Sequence, residues 1–158
     1  MTVMTPLIIF IANYLYLLPV ALFVAYAFKA KERKAFIMLS VFVLPISYLV
    51  GVLAGHLFYN PRPFVVSHSI PLFPHAPDNG FPSDHALLTG TLAAIVTVFN
   101  APLGALLWLL ALLIGAARVF AGVHHALDIA GSFAIAIAST ALVRVLLARF
   151  RKPQTPAA

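Results

Sequence analysis

Three polar fragments interrupt an otherwise apolar chain: Pro61-Arg62-Pro63, Pro82-Ser83-Asp84-His85, and the stretch from Arg118 through His124 and His125 to Asp128. Charged groups in membrane segments are costly and persist where they have a role. Asp128 follows His124 by four positions, so on a helix the two share a face. A carboxylate bonded to one imidazole nitrogen fixes the tautomer and makes the other nitrogen a better nucleophile. Asp128 is equally accounted for as an acid at a helix start beside an incidental histidine. Ser83 reads as a helix N-cap, and the free N–H groups of such a helix start form an anion site. Ser83 can cap, donate to a phosphate oxygen, or do each in turn. His85, as an imidazolium, can protonate a leaving oxygen; the plainer alternative is an ordinary helix entry with an interfacial histidine. Arg62 and Arg118 suit a bidentate grip on phosphate. Arg62 alone is also explained as a snorkelling residue, but Arg118 falls inside an apolar helix end. Taken together, the set is suited to binding a phosphate and attacking it.

The elements that must position these groups follow from composition. Of 158 residues, 63% are hydrophobic and 9% charged, with a mean hydropathy of +1.03. A soluble domain carries about 25% charged residues, so the expected fold class is all-α, a polytopic membrane helical bundle. Nucleic-acid binding is excluded because basic residues are few and the surface apolar. There is no cysteine, hence no disulfide, thiolate chemistry or Cys-based zinc site.

Five segments are apolar enough to cross a bilayer: Pro6 to Phe28, Ala35 to Tyr59, Ser83 to Phe99, Leu103 to Ala121 and Ala126 to Phe150. The first is too long for a signal peptide and is expected to be a retained span. Pro19 and Pro45 are expected to kink the first two. Gly51 and Gly55 form a GxxxG pattern, for close helix packing within the chain in preference to a dimer face. Lys29, Lys31, Arg33 and Lys34 follow the first span, and Arg144, Arg149, Arg151 and Lys152 end the last. With five spans both clusters fall on one side, the cytoplasmic one by the bias of basic residues, placing the N-terminus outside and the C-terminus in the cytoplasm. That topology alone gathers Arg62, Ser83, His85, Arg118, His124 and Asp128 at the outer face. Residues 1–152 read as one transmembrane domain and 153–158 as a disordered tail.

The ordered set Arg62-Pro63, Pro82-Ser83-Asp84-His85 and Arg118-x5-His124-x3-Asp128 resembles the type 2 phosphatidic acid phosphatase superfamily, over about Gly55 to Asp128. The wording around it, Phe58-Tyr-Asn-Pro-Arg-Pro-Phe64 and Phe81-Pro-Ser-Asp-His85, is similar to the bacitracin-resistance branch, whose members are undecaprenyl diphosphatases. The chain departs from the superfamily pattern at three positions. Gly55 stands where a lysine is usual, and His56, His68 and His75 are the candidates to compensate. Asp84 replaces a glycine and is expected to turn away from phosphate. Ala117 replaces a serine.

The resemblance implies a mechanism. His124 is the nucleophile and forms a phosphohistidine, and Asp128 orients it. His85 is the general acid and then the base. Arg62, Ser83 and Arg118 bind the phosphate, with no metal and no cofactor. The implied substrate is a polyprenyl diphosphate lipid, drawn from the outer face of the bacterial plasma membrane and surrounded by membrane lipids; the implied role is lipid-carrier recycling for cell-wall synthesis. Another lipid substrate, phosphatidylglycerol phosphate or phosphatidic acid, stays open. A small transporter fits less well, because the polar groups gather at one interface and no paired repeat is seen. The apolar outer-loop runs Phe64-Val-Val and Ile70-Pro-Leu-Phe73 suit either an interfacial contact or a packed lid.

Overall fold

A computed structural model describes residues 4–150. In order, the helices are α1 (Met4–Tyr14), α2 (Leu17–Lys29), α3 (Arg33–Leu57), α4 (Pro63–Ser67), α5 (Asp84–Phe99), α6 (Ala101–Phe120) and α7 (Ala126–Phe150). No strand forms among the described residues, and the one β-type contact is an isolated antiparallel bridge between Pro61 and Asn79. The expected tail at 153–158 lies outside the described residues, as do Arg151 and Lys152 of the second basic cluster.

Four stretches are long and apolar enough to cross a bilayer: Met4–Lys29, Arg33–Leu57, Ala101–Phe120 and Ala126–Arg149. α5 is apolar but has only 16 residues, and at 1.5 Å per residue it extends about 24 Å, short of a full hydrocarbon core. Its position explains why it can be short. Leu87, Leu92, Ala93, Ile95 and Val96 are all buried, because α5 is the central helix and packs against α2, α3, α6 and α7. The core continues through Phe36, Val43, Leu107 and Val143, with Phe36 stacked edge-on against Tyr26 and Phe99. Outward-facing Phe42, Leu53, Leu109 and Leu142 stay exposed, as a surface covered by lipid allows.

The first span differs from expectation. It is two helices, parted at Leu15 and Tyr16, and no kink centres on Pro19. The cause is still Pro19, which lacks an N–H and crowds the carbonyl of the residue four earlier, Leu15. The chain breaks there and restarts, so Pro19 sits in the first turn of α2, where proline is tolerated. α3, by contrast, continues through Pro45.

The glycine pair packs within the chain. A Cβ on Gly51 would lie 2.6 Å from Leu87 Cδ2, and one on Gly55 3.0 Å from the Phe81 carbonyl oxygen. These close approaches bring α3 against the entrance of α5. The segment from Asn60 to Pro82 also contains an unforeseen element, the short α4, opened by Pro63 at its first position. Phe64 and Val65 are half-buried, whereas Val66 and Ile70 are exposed.

α3 and α6 run toward the end of the bundle bearing the polar fragments, and α5 and α7 run away from it. The described residues of the two basic clusters lie at the opposite end, where Lys29, Lys31, Glu32, Phe99 and Asn100 line one pocket and Glu32 and Arg144 line another.

Candidate active site

A cavity of about 650 Å³ opens at the polar end of the bundle, lined among others by Arg62, His75, Asp78, His85, Arg118 and His124. Of the six residues singled out from sequence, Arg62, His85, Arg118 and His124 reach this one space. Asp128 and Ser83 stand behind its wall and are fully buried.

His124 lies in the turn between α6 and α7, a turn made possible by Gly122 at φ +77°. His124 and Asp128 bracket the start of α7, which begins at Ala126, so the two meet across the helix start and do not lie along one helix. Nδ1 of His124 is 2.9 Å from the Gly80 carbonyl oxygen and 3.4 Å from Asp128 Oδ2. A carbonyl only accepts, so Nδ1 carries the proton and Nε2 keeps its lone pair. The nearer partner is thus the Gly80 carbonyl, with the carboxylate second. That approach requires glycine: a Cβ at position 80 would lie 3.0 Å from Asp128 Oδ2 and 3.1 Å from the Asn60 carbonyl oxygen.

Asp128 holds three elements together. Its Oδ1 accepts from Asn60 Nδ2 at 2.7 Å, and its Oδ2 accepts from the backbone N–H of His125 at 2.8 Å. The second bond is one half of a capping box at the start of α7. The helix-start and histidine-orienting readings of Asp128 therefore describe the same side chain. Burial pushes the His124 imidazole below the usual histidine range; Asp128 opposes the shift, and the charges of Arg118 and Arg62 add to it. His124 is accordingly neutral near pH 7, and it lines the cavity.

Both arginines are buried and partly committed. Arg62 donates from Nε to Asp78 Oδ1 at 2.7 Å, from Nη1 to the Val123 carbonyl at 2.8 Å and from Nη2 to the Asn79 carbonyl at 3.4 Å. Its Nη1 also lies 3.3 Å from His124 Nε2. Arg118 donates from Nη1 to the Ala12 carbonyl on α1 at 3.1 Å and from Nη2 to His75 Nε2 at 3.2 Å. Its Nε is buried with no partner, and so is the hydroxyl of Ser83. Unpartnered buried donors are uncommon and call for a ligand or another explanation. Ser83 caps α5 by its backbone conformation only: its side chain makes no capping bond, and its carbonyl accepts from Leu87 N and Ser132 Oγ. The side-chain cap expected of Ser83 is thereby corrected.

His85, at the second position of α5, is half-buried with its ring edge-on to Tyr16 at 4.9 Å. Asp84, expected to turn away, still lines the cavity; as the first residue of α5 it sits where the helix dipole favours an acid. Among the described residues no three His, Cys, Asp or Glu side chains gather as a metal-ligand set.

Sequence reasoning passed over Asn60, Asp78, Asn79 and Gly80. Asn79 ties the loop together: its Oδ1 accepts from the backbone N–H of Asn60 and Phe81, and its Nδ2 donates to the carbonyls of Gly55 and Phe58. The Asn79-Gly80 dipeptide was the available signal, since such pairs mark tight turns.

The sequence profile of the PAP2 superfamily matches residues 35–152. Among curated proteins, the chain is 28% identical to the bacitracin transport permease protein BcrC of Bacillus licheniformis over 90% of this chain and 71% of that protein. It is 38% identical to the undecaprenyl-diphosphatase BcrC of Bacillus subtilis over 60% of this chain, and spans about half (47%) of that relative's length. It is 35% identical to the putative undecaprenyl-diphosphatase YbjG of Escherichia coli over 81% of this chain and 66% of that protein. Two solved structures share the fold. Aquifex aeolicus LpxE does so with TM-score 0.73 and 24% identity, covering 88% of this chain and 86% of that one. A Bacillus subtilis transmembrane phosphatidylglycerolphosphate phosphatase of PAP2 type does so with TM-score 0.66 and 19% identity, covering 96% of this chain and 80% of that one. The chain therefore belongs to the PAP2 superfamily, in its bacitracin-resistance-type branch, and with it to a family of phosphatases.

Proposed function

We propose that the protein is a membrane-embedded undecaprenyl-diphosphate phosphatase, releasing inorganic phosphate and undecaprenyl phosphate at the outer face of the bacterial plasma membrane. The observation that carries this reading is the neutral His124, which lines a cavity shared with Arg62, Arg118 and His85 and whose Nε2 lone pair is met by Arg62 Nη1 at 3.3 Å. Nε2 attacks the terminal phosphorus, the P–O bond to the bridging oxygen breaks, and His85 gives that oxygen a proton. His85 then takes a proton from water, which cleaves the phosphohistidine. Asp128 and the Gly80 carbonyl stabilise the charge that grows on the ring. The arginines hold the oxygens of the transferring group, which is where catalysis of phosphoryl transfer lies.

Two further observations support a lipid at the outer leaflet. An apolar groove of about 260 Å³ between α3 and α5 shares Tyr48, Asp84 and Leu87 with the cavity, offering a path for a hydrocarbon chain. The two basic clusters gather at the bundle end remote from the cavity, which the inward bias of Lys and Arg assigns to the cytoplasm. The test is phosphate release by purified protein from undecaprenyl diphosphate, phosphatidylglycerol phosphate and phosphatidic acid in competition, with and without chelator. Undecaprenyl diphosphate should be preferred, chelator should have no effect, and orthovanadate should inhibit. Preference for either glycerolipid would reassign the substrate.

Asp78 occupies Arg62 as a substrate oxygen would. Desolvation acts to raise its carboxyl, but the hydrogen bond and charge of Arg62 outweigh this and hold it below the usual range, so it is ionised near neutral pH. Because Asp78 is exposed, the pair is worth little. Asp78→Asn is expected to tighten orthovanadate binding by about two- to fivefold, measured by inhibition of phosphate release. Weaker binding in the variant would mean that Asp78 orients Arg62 and does not compete for it.

A further inference from the structure

The outer loop delivers a second imidazole to the site. Leu72 N–H donates to the Ala121 carbonyl at 3.0 Å, and the Phe73 ring lies beneath the Arg118 guanidinium at 5.9 Å. Asn79 fixes the other end of the loop, as described above. Between these anchors His75 is half-buried on the cavity wall, with Nε2 3.2 Å from Arg118 Nη2 and its ring centroid 6.2 Å from that of His124. We propose that His75 is a phosphate-binding residue of this site, giving up its contact with Arg118 when substrate arrives and donating from Nε2 to the terminal phosphate. This rests on the phosphatase reading and adds a contact to it.

Donor supply is the first argument. Arg118 spends Nη1 on Ala12, and Arg62 spends Nη1 and Nη2 on backbone carbonyls. A guanidinium has five N–H groups. Nε of Arg62 is on Asp78, its Nη1 is on Val123 and His124, and one hydrogen each of Arg62 Nη2, Arg118 Nη1 and Arg118 Nη2 is on Asn79, Ala12 and His75. The hydrogens left for a phosphate are then one on Arg62 Nη2, one each on Nη1 and Nη2 of Arg118, and that of the unpartnered Nε of Arg118. A diphosphate terminus presents three oxygens, each able to accept more than one bond. The second argument is access. Of the three histidines that are candidates to compensate for the absent lysine, His68 lies outside the cavity lining and His56 is exposed at the rim. His75 alone bonds a phosphate-gripping residue. Position 55 cannot serve, since Gly55 has no side chain and a Cβ there would already lie 3.0 Å from the Phe81 carbonyl oxygen.

The third argument is charge. The groups facing His75 are Arg62 and Asp78 from its own connecting segment, Arg118 from α6, His124 from the following turn and His85 from α5; α1 brings none. Burial, then the charges of Arg62, Arg118 and His124, push His75 below the usual histidine range against the opposing pull of the Ala76 carbonyl. It is then a neutral acceptor for Arg118. A bound phosphate reverses the local sign and favours the imidazolium, which takes a proton from solvent and becomes a donor at both nitrogens.

The experiment compares wild type with His75→Ala, His75→Lys and His75→Gln, measuring orthovanadate binding and the hydrolysis of a short-chain isoprenyl diphosphate from pH 6 to 9. His75→Ala should weaken vanadate binding and raise KM by about tenfold to a hundredfold, with a smaller change in kcat. His75→Lys should recover most of that loss, above all at alkaline pH where the wild-type imidazole loses its proton. Taking the ratio to wild type at each pH cancels the titration of the probe itself. The proposal is overturned if His75→Ala keeps wild-type vanadate binding. It is equally overturned if Gln rescues as well as or better than Lys at every pH, the mark of a structural partner for Arg118. A wild type that binds vanadate but leaves the isoprenyl diphosphate intact would sink the assigned substrate, and His75 would still be decided by the binding arm. A wild type that binds no vanadate would sink both.

Discussion

Replacing His124 by alanine is expected to lower phosphate release by about 10⁴-fold or more, the scale of losing a covalent nucleophile. The prediction follows from which nitrogen is free. Nδ1 is committed to the Gly80 carbonyl and Asp128, so attack must come from Nε2, whose one contact is the long approach of Arg62 Nη1 at 3.3 Å that substrate displaces. Because burial disfavours the imidazolium, the neutral nucleophile persists as pH falls below the usual histidine range. An acid limb near pH 6.5 in the wild type would therefore belong to another group. The substitution removes a donor from two buried acceptors, at a cost of about 1–3 kcal/mol, so folding must be checked separately by thermal melting in detergent. His124→Asn supplies the control: its amide can reach toward the Gly80 carbonyl but has no lone pair on nitrogen for attack. It should melt closer to wild type and be as inactive as alanine. Turnover above a few per cent in a folded variant would remove His124 from the role, and an acid-labile, base-stable phosphoprotein in wild type alone would support it.

What could be read ahead of the structure, and what could not, divides along a physical line. Long apolar runs identify the helices because hydropathy is a property of side chains summed over many positions. Fixed spacings in Arg118, His124 and Asp128 single out a candidate site because each residue type has a distinct chemistry. The Gly80 carbonyl carries no such mark. Any residue has a carbonyl, and only the fold reveals that this one aims at His124 and that a Cβ would not fit there. Asp78 was equally hidden, since an exposed acid in a polar loop looks like an ordinary solvated charge until Arg62 is found 2.7 Å away. The break at Leu15 and Tyr16 was misplaced for a related reason: proline acts on the carbonyl four residues upstream, so the sequence position of Pro19 is one turn from its effect. His75 stood among three candidates because loop residues have no periodicity to place them. It is singled out by the anchoring of Leu72 and Phe73 to the end of α6.

Arg118→Lys is expected to reduce kcat/KM by about 10²- to 10³-fold while the charge is retained. The reason is geometric. One planar guanidinium here performs two tasks that a single ammonium cannot divide: Nη1 fixes the side chain to the Ala12 carbonyl, while Nη2 meets His75 on the cavity wall and Nε is buried without a partner. A lysine that keeps the bond to Ala12 withdraws its charge from the phosphate, and one that reaches the phosphate leaves a buried carbonyl unpaired. Either way α1 loses its tie to the catalytic end of the bundle or the substrate loses its fork. The loss should fall on both KM and kcat, because the planar grip orients the phosphorus for His124 as well as binding it. Separate measurement of the two, with melting temperature as the folding control, distinguishes this from simple charge attraction. A lysine variant with wild-type kcat and only a raised KM would show that positive charge suffices and that the directed N–H groups of Arg118 do not position the transferring group.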